Sequence, residues 1–459
     1  MKYEQALVSE FHLTDSGNAD YFERETDGTV AFDHTAKCWY EFDGHHWRRD
    51  TLQRVHERCV EAMRARQHEA LMLADPDARK AALRFALQSE ERRRVMDCLA
   101  LAQSRRSIAV DASTWDRDPM LFAVQNGVID LARGALRPGM RQDRITTVSP
   151  VVYDPEARAP RFEQFLGELF RADSSSIAEY LKRVLGYCLT GLTSEQAFWV
   201  WWGSGSNGKS TLIALLRSIL GPYSWTMPFP VASWTDALSD YQKAELPGRR
   251  LVAASEVRGR APLHEDLLKS LSGGDEVNAR RAYGHPFTFT PVCKVVLICN
   301  ERPVVRDTTH SMWRRLRLVP FLETFAPDEA LADELAGEAA GILNVLVQGC
   351  RDWQREGFKT PESVHAATAQ YREESDPLAD FIAEQCLVNP SLTHQQAWPL
   401  WLAYERWCHQ RHLTADDRLS QRKFGEHMKA KFPPDKPDAR RIVYRGIALR
   451  TDEADEVDA

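Results

Sequence analysis

Residues 198–220 read FWVWWGSGSNGKSTLIALLRSIL and contain the strongest structural signal in the chain. The apolar run 198–202 predicts a buried strand, and the small residues after it end in Gly208 and Lys209. Gly221-Pro222 stops the amphipathic helix that follows. The apolar side chains of that helix recur with helical spacing at Leu212, Leu215, Leu216 and Ile219. The order of strand, glycine loop and helix therefore predicts an α/β protein built around this segment.

The same order is what phosphate binding requires. The spacing Gly203-x-x-x-x-Gly208-Lys209-Ser210 fits the P-loop pattern, in which backbone N–H groups and a helix N-terminus face phosphate oxygens. Lys209 would reach the β- and γ-phosphates of ATP, and the Ser210 hydroxyl would hold Mg²⁺. The predicted ATP-binding residues are Gly203, Ser204, Gly205, Ser206, Asn207, Gly208, Lys209, Ser210 and Thr211.

Length and composition exclude several classes of protein. The chain has 459 residues, too many for one core, and 43% of them are hydrophobic and 27% charged. No apolar run reaches the roughly 18 residues that span a bilayer, and the N-terminus has no signal-peptide pattern. We therefore expect a cytoplasmic protein with no membrane partner. The formal net charge of −7 means that any DNA contact must use locally concentrated basic residues.

Five regions are predicted along the chain. Residues 1–155 form an N-terminal α+β region, with a β-meander that turns at Asp27-Gly28 and Asp43-Gly44 and arginine-rich helices that break at Pro76. Alternating strand-like and helical runs make residues 156–340 a core with a parallel sheet. The remaining regions are a helical extension over 341–390, a winged helix over 391–450 and an acidic tail over 451–459.

The C-terminal region concentrates basic residues. Between residues 418 and 450, ten lysines and arginines oppose three acids, so 10 − 3 gives a net charge of +7. Two helical runs precede RRIVYRGIALR, residues 440–450, which predicts a hairpin. Helices followed by a β-wing are typical of a winged helix that binds DNA.

Four more motifs follow the glycine loop: GRRLVAASEV (248–257), LLKSLSGGDEVNARRAYGHPFTFTP (267–291), KVVLICNERP (294–303) and WRRLRLVPF (313–321). With Asn207 just before the Gly-Lys pair, they resemble the superfamily 3 helicases. Their order is similar to that of the phage and plasmid primase-helicase branch, which is of poxvirus type. The resemblance covers most of the chain and implies a multidomain α/β protein whose core is an AAA+-like P-loop ATPase.

Two strand ends supply candidate catalytic groups. RLVAASE predicts a short strand closed by Glu256, and a carboxylate there can polarise water for attack on the γ-phosphate. Ser210 and Glu256 form the predicted metal site, although Ser255 stands where many P-loop ATPases carry an aspartate. The resemblance gives Asn300, after KVVLIC, a sensor role at the γ-phosphate. Taken alone, an acid closing a strand and an asparagine in a turn are ordinary features.

The motif WRRLRLVPF places two arginines before a strand. The resemblance implies that one of them is a finger that reaches the ATP of a neighbouring subunit and stabilises charge on the transferred phosphoryl group. Arg315 is the first candidate and Arg314 the second. The alternative is a surface ion pair.

Residues 275–291 predict a hairpin whose tip is basic and aromatic. The resemblance implies that it projects into the pore of a ring, where cations follow phosphates and an aromatic side chain stacks on a base. Lys269, on the preceding helix, matches a basic position of the family and lies near phosphate or near DNA. An ordinary exposed hairpin is the alternative reading. The candidate DNA-binding residues are Lys269, Arg280, Arg281, Tyr283 and His285.

These motifs predict an ATP-dependent replicative DNA helicase of a phage or mobile element. The resemblance implies a homo-hexameric ring on single-stranded or forked DNA, 3′-to-5′ movement, and the cytoplasm of a bacterial host. The alternatives are a replication initiator that binds origin duplex DNA without processive unwinding, and a small-molecule P-loop kinase, which would have no use for Arg315.

A primase would need clustered carboxylates for two metals. The candidates upstream of the core are the pairs Asp75-x-Asp77 and Asp116-x-Asp118, which lie in a helical run and beside Pro119. We therefore expect no primase domain and a separate primase or other replication proteins as partners.

Overall fold

The computed structural model describes residues 11–171, 174–227, 238–257, 263–282, 284–307, 309–389, 394–414, 418–438 and 441–450. Within these ranges the side chains of residues 174–175, 255–257, 394 and 436–438 are outside the description. The predicted acidic tail, residues 451–459, lies outside the described residues. No helix in the described ranges has the length and apolar character needed to cross a membrane.

The N-terminal unit is a four-stranded sheet, in the order β3-β2-β1-β4, covered by helices. The predicted Asp43-Gly44 hairpin is confirmed, because β2 and β3 pair in antiparallel fashion and the Asp43 carboxylate accepts the N–H groups of His45 and His46. The four strands are β1 (Val30–Asp33), β2 (Cys38–Phe42), β3 (Trp47–Arg49) and β4 (Ala109–Val110).

The hairpin predicted at Asp27-Gly28 is wrong. The residues before it form the helix Asp15–Thr26, which is capped by the Thr14 hydroxyl and buries Ala19 and Phe22. Asp27 has a left-handed conformation, with φ of 42°, and its N–H bonds the Arg24 carbonyl. An Asp-Gly pair supplies left-handed residues to a helix C-terminus as readily as to a hairpin turn, and the burial of the helix decides between them.

The arginine-rich segment forms three helices, one more than the break at Pro76 predicts. Pro76 opens the second helix, where its missing N–H costs nothing, and Asp75 caps it by accepting the N–H groups of Asp77 and Ala78. The bounds of the three helices are Arg54–Leu71, Pro76–Gln88 and Arg92–Ala102.

The core is a parallel five-stranded sheet in the order β14-β8-β13-β10-β9, so the predicted α/β class with a parallel sheet is confirmed. Its strands are nearly all apolar because helices cover both faces. They are β8 (Phe198–Trp202), β9 (Ser224–Met227), β10 (Leu251–Val257), β13 (Lys294–Cys299) and β14 (Leu316–Pro320). The helices of this region are Pro160–Leu169, Ser174–Tyr187, Lys209–Leu220, Asp240–Lys243, Glu265–Gly273, His310–Trp313, Leu331–Gly337, Ala339–Glu356 and Glu362–Glu374.

A second antiparallel sheet is packed onto this core. Phe122 stacks on Tyr223 with ring centroids 4.6 Å apart, and the Tyr223 hydroxyl donates to the Thr147 carbonyl at 2.6 Å. The buried Arg250 guanidinium donates to the Leu121 carbonyl at 2.7 Å. These contacts cross the predicted boundary at residue 155, which stays a prediction. The sheet consists of β5 (Leu121–Val124), β6 (Gly127–Asp130) and β7 (Ala135–Arg137).

The hairpin predicted within RRIVYRGIALR is wrong. Residues 441–445 pair with residues 394–396 and 434–438, whereas residues 447–449 pair with residues 386–388. One residue, Gly446 with φ of 81°, separates the two strands and turns the chain toward another partner. The C-terminal strands are β15 (Cys386–Val388), β16 (His394–Gln396), β17 (Pro434–Asp438), β18 (Arg441–Arg445) and β19 (Ile447–Leu449), beside the helices Ala379–Gln385, Ala397–Gln410 and Gln421–Lys431.

Two core helices approach so closely that only glycine fits at their crossing. A Cβ on Gly349 would lie 2.0 Å from the Lys182 carbonyl oxygen. We expect Gly349→Ala to lower the free energy of unfolding by about 1–3 kcal/mol, because the helices must move apart. Gly337→Ala is the matched control: its Cβ meets nothing within 4 Å, and alanine favours a helix. Urea unfolding of both variants tests this, and equal effects would contradict the close-approach explanation.

Candidate functional site

Residues 203–208, here called the glycine loop, follow β8 with a backbone that few side chains would permit. Gly205 and Gly208 have φ of 104° and 76°. A Cβ on Gly203 would lie 2.0 Å from the Phe321 carbonyl oxygen, and one on Gly208 would lie 2.4 Å from the side chain of Leu169. The glycines thus let the loop pass close to β14 and to the helix Pro160–Leu169, whereas a Cβ on Gly205 would meet nothing within 4 Å.

The amine of Lys209 is turned into the glycine loop. Its Nζ donates to the Gly203 carbonyl and to Asn207 Oδ1, both at 2.8 Å, and the residue is 2% exposed. Burial lowers the pKa of Lys209 to about 8. Among the side chains that the structure describes, no carboxylate forms an ion pair with this ammonium. Two neutral oxygens therefore hold this buried cation in the described part of the site.

Asn207 ties the loop to the end of the neighbouring strand. Its Nδ2 donates to the Phe321 carbonyl at 3.1 Å, while its Oδ1 accepts from Lys209. Two backbone bonds add to this link, from Phe325 N to the Ser206 carbonyl at 2.8 Å and from Gly203 N to the Cys299 carbonyl at 3.2 Å. The shape of the loop therefore depends on the ends of β13 and β14.

The carboxyl edge of the sheet gathers the predicted ATP-site residues. Strands β8, β13 and β10 lie side by side and run parallel, so the glycine loop, Asn300 and the end of β10 share one edge. Asn300 directly follows β13 and is exposed, as are Ser204 and Ser210. Glu256 lies on β10, one residue before its end, but the side chains of Ser255 and Glu256 lie outside the described residues.

Arg314 and Arg315 lie at the opposite edge. Leu316, the first residue of β14, pairs with Phe198, the first residue of β8. The glycine loop begins five residues after Phe198, about 16 Å along the strand. Arg315 donates to the Ser311 carbonyl at 2.8 Å, and Arg314 donates to Gln196 at 2.7 Å. Burial and the adjacent Arg314 lower the pKa of Arg315.

The predicted hairpin is confirmed as a pair of antiparallel strands, β11 (Val277–Arg280) and β12 (Pro286–Phe289). At its tip Arg280, Arg281 and His285 are exposed. Arg280 Nε donates to the Gly284 carbonyl at 3.1 Å, and the Arg281 guanidinium lies 5.5 Å from the Phe287 ring centroid. Tyr283 lies outside the described residues, so the structure leaves its part in the tip untested.

Lys269 is engaged by acids next to the hairpin. It forms an ion pair with Asp307 and a longer one, at 3.5 Å, with Asp266. Partial burial alone would lower the pKa of Lys269, but the two acids outweigh it and raise that pKa. Lys269 is therefore charged, and a phosphate would have to compete with Asp307 for it.

The carboxylate pairs considered for a primase have structural roles. Asp75 caps a helix, and Asp116 accepts the backbone N–H of Thr146 at 2.9 Å and also its hydroxyl. Burial raises the pKa of Asp116. The described ranges contain no group of three or more metal-ligating side chains.

Sequence reasoning missed Arg302, which lies beside the glycine loop. Its guanidinium lies over the Trp202 ring at 4.1 Å from the centroid, and it forms an ion pair with Glu374. Trp202 is the last residue before the loop. The only signal in the sequence was a cation two residues after Asn300, which does not by itself indicate a tryptophan neighbour.

Two family models match parts of the chain. Residues 19–171 match a family model described as D5 N terminal like, and residues 201–315 match a family of unknown function, DUF5906. The chain is 29% identical over 294 residues to "Putative helicase L207/L206" of Acanthamoeba polyphaga mimivirus, covering 59% of this chain and 31% of that protein. It is 24% identical to "Putative helicase 022R" of Frog virus 3, covering 61% and 37%.

A third relative is "Putative primase C962R" of African swine fever virus. It is 23% identical to this chain, and the match covers 64% of this chain and 34% of that protein. The chain thus spans about a third of the length of these relatives. Among solved structures, the apo C-terminal region of NrS-1 aligns with a TM-score of 0.49 and 11% identity, covering 93% of this chain and 98% of that one. A TM-score of that size does not establish a shared fold.

The fold and the site define a multidomain α/β protein with a five-stranded parallel sheet, in which one strand runs into a glycine loop. The relatives named helicase and primase are similar to this chain over about a third of their own length. Together with the D5 N-terminal-like region, these similarities support a D5-like primase-helicase family, which is the resemblance that the motifs predict.

Asn207→Ala tests the tie between the glycine loop and β14. We expect it to lower the free energy of unfolding by about 1–3 kcal/mol, because the buried Phe321 carbonyl and the Lys209 amine each lose a partner. Ser204→Ala, an exposed residue of the same loop, should change it by less than about 0.5 kcal/mol. Thermal or urea unfolding without ligands measures both, and equal values would rule out the tie.

Proposed function

We propose that this chain is the helicase part of a D5-like primase-helicase: an ATP-dependent replicative DNA helicase that works as a homo-hexameric ring on single-stranded or forked DNA. The observation that carries the proposal is the buried Lys209 ammonium, which has two neutral oxygens and no described carboxylate around it. A nucleotide phosphate would supply the missing negative charge.

The residues of the glycine loop suit ATP. Gly208 opens the helix Lys209–Leu220, so the N–H groups of its first turn lie at the loop, where the helix dipole favours a phosphate. The phosphates would draw the Lys209 amine from Gly203 and Asn207 and raise its pKa from about 8. The proposed ATP site is the loop with Lys209, Ser210 and Thr211.

Magnesium would be held by Ser210, with Glu256 on the neighbouring part of the sheet edge. The exposed Ser210 hydroxyl lies in the first turn of the helix, the place that a P-loop serine takes for the metal. When bound, the ion neutralises charge on the phosphates. Glu256 would polarise the attacking water, and Asn300 would sense the γ-phosphate from the end of β13.

Arg315 supports a ring because it cannot serve the site of its own subunit. It precedes β14 at the amino edge of the sheet, whereas the glycine loop lies at the carboxyl edge. In a ring, the amino edge of one subunit can face the ATP of the next, which is how an arginine finger acts in trans. Arg314 is the second candidate, since it is exposed and lies one residue earlier.

DNA contact is proposed at two places. The exposed Arg280, Arg281 and His285, together with Tyr283 and Lys269, would contact the strand that passes through the ring. The C-terminal helices and the sheet β16-β18-β17 would form a winged helix. This unit favours the second candidate function, a replication initiator that binds origin duplex. The proposed setting is the replication of phage or mobile-element DNA in bacterial cytoplasm, with a separate primase or other replication proteins.

Unwinding of forked DNA with a single 3′ or 5′ tail tests the proposal. We expect wild type to separate the 3′-tailed fork with ATP, and Lys209→Ala to lose both nucleotide binding and unwinding, because no other described cation lies within the loop. Arg217→Ala, which removes an exposed cation from the last turn of the helix Lys209–Leu220, is the control and should keep both. Hydrolysis by wild type that depends on DNA but never separates strands would favour the initiator instead.

Mixing subunits tests Arg315. We expect Arg315→Ala to assemble and bind nucleotide but to hydrolyse ATP at least about 10³-fold more slowly. Rings that mix Arg315→Ala with Lys209→Ala should regain some hydrolysis, since an intact arginine then meets an intact loop at some interfaces. Arg317→Ala, on the same strand, serves as the control. If assembled Arg315→Ala hydrolyses ATP at the normal rate, Arg315 is not the arginine finger. Arg314→Ala is then tested in the same way.

A further inference from the structure

The C-terminal unit carries a groove that the ATP site and the hairpin do not use. It has a volume of about 630 Å³ and lies between the start of the helix Ala397–Gln410, the helix Gln421–Lys431 and β18. Its floor is aromatic: the Trp401 and Phe424 rings meet edge to face at 5.5 Å, and the Tyr444 hydroxyl donates to the Gly425 carbonyl at 3.4 Å. The floor is therefore packed and rigid.

Trp398 stands at the rim of this groove, one turn before Trp401 on the same helix face. Its relative exposure is 56%. Every other tryptophan that the structure describes is buried or half-buried. An indole kept in water forgoes the stabilisation that its burial would give, and its free face can stack on another ring.

The groove is also basic. Arg422, Lys429 and Arg441 line it and are exposed, while Glu426 is the one acid among the lining residues that the structure describes. Arg422 forms an exposed ion pair with Glu426 at 3.0 Å, which an incoming phosphate can replace at little cost because such pairs are weak. The described lining residues thus carry more positive than negative charge, which complements a phosphate backbone.

The helix that bears Trp398 begins at the same place. Gln396 is its N-cap, and the Gln396 side chain makes no capping bond. Gln396, Ala397 and Trp398 all line the groove. The positive end of a helix of 14 residues thus lies beside the exposed indole.

We propose that this groove binds single-stranded DNA, with a base stacked on Trp398 and the flanking phosphates on Arg422, Lys429 and Arg441. Stacking requires a free base face, which a single strand offers and a paired, stacked duplex does not. Cations beside an exposed aromatic ring are the combination that binds single strands without sequence preference. The groove would hold the strand outside the ring.

This inference deepens the proposed function, because it takes DNA as the partner, and it assigns a strand to the C-terminal unit. It needs neither nucleotide nor assembly, so it can be tested apart from the motor. The background for the test is the full chain carrying Arg280→Ala, Arg281→Ala, Tyr283→Ala and His285→Ala, which removes the proposed contacts of the hairpin tip and leaves the groove.

The probe is a labelled oligothymidine of about eight nucleotides, followed by fluorescence anisotropy without ATP. The comparison probe is an abasic strand of equal length, which keeps the phosphates and lacks the bases. We expect the background protein to bind oligothymidine at least about tenfold more tightly than the abasic strand, or about 1.4 kcal/mol. Trp398→Ala should erase this preference, and Trp398→Phe should keep most of it.

Salt dependence separates the two kinds of contact. Arg422→Ala and Lys429→Ala should each lower the slope of log affinity against log salt by about 0.7, whereas Trp398→Ala should leave the slope unchanged. Leu402→Ala is the matched control, because Leu402 is an exposed residue of the same helix that does not line the groove. It should change neither the preference nor the slope.

Three results would overturn the proposal: equal binding of the two strands, equal effects of Trp398→Ala and Leu402→Ala, or tighter binding of a blunt duplex than of the single strand. Tighter binding of the blunt duplex would mean that the groove recognises double-stranded DNA instead. The proposed helicase activity is tested separately, because Lys209→Ala should bind oligothymidine as tightly as wild type does. If wild type fails to unwind forks but Trp398→Ala still erases the preference for oligothymidine, the helicase proposal is rejected and the single-strand-binding proposal for the groove stands.

Discussion

The rest of the site depends on where the ammonium of Lys209 is buried. A cation removed from water is costly unless several oxygens surround it, and here two do so, the Gly203 carbonyl and the Asn207 amide. Neither oxygen is placed by the loop alone. Gly203 is held by the Cys299 carbonyl, and Asn207 by the Phe321 carbonyl. The position of one amine therefore rests on the register of three neighbouring strands.

The parallel sheet then divides the machinery between its two edges. Parallel strands bring their carboxyl ends together, so the glycine loop, Asn300 and the end of β10 share one edge. Arg315 precedes β14 and lies at the other edge. A chain built in this way holds a nucleotide on one side and offers a cation on the other, which is the arrangement that favours the proposed ring.

Much of this could be predicted from the sequence, because the signals are local. The strand, loop and helix of residues 198–220 and the hairpin β11–β12 follow from apolar periodicity and glycine placement. The two wrong hairpins have local signals as well, but tertiary contacts overrule them. Asp27 caps a helix because Ala19 and Phe22 are buried, and Gly446 sends β19 to β15 rather than back along β18. Burial and strand partners are not encoded in neighbouring residues.

Residue types at fixed spacings were enough to predict the α/β class, the strand, loop and helix of residues 198–220, and the resemblance to a helicase family. Which side chains meet depends on the tertiary structure. It set Arg302 on Trp202, placed Asp307 on Lys269, and brought an exposed tryptophan beside three cations on the C-terminal unit. Each of these contacts joins elements far apart in the chain. Their partners are fixed by how whole helices and strands pack, which spacing along the sequence does not specify.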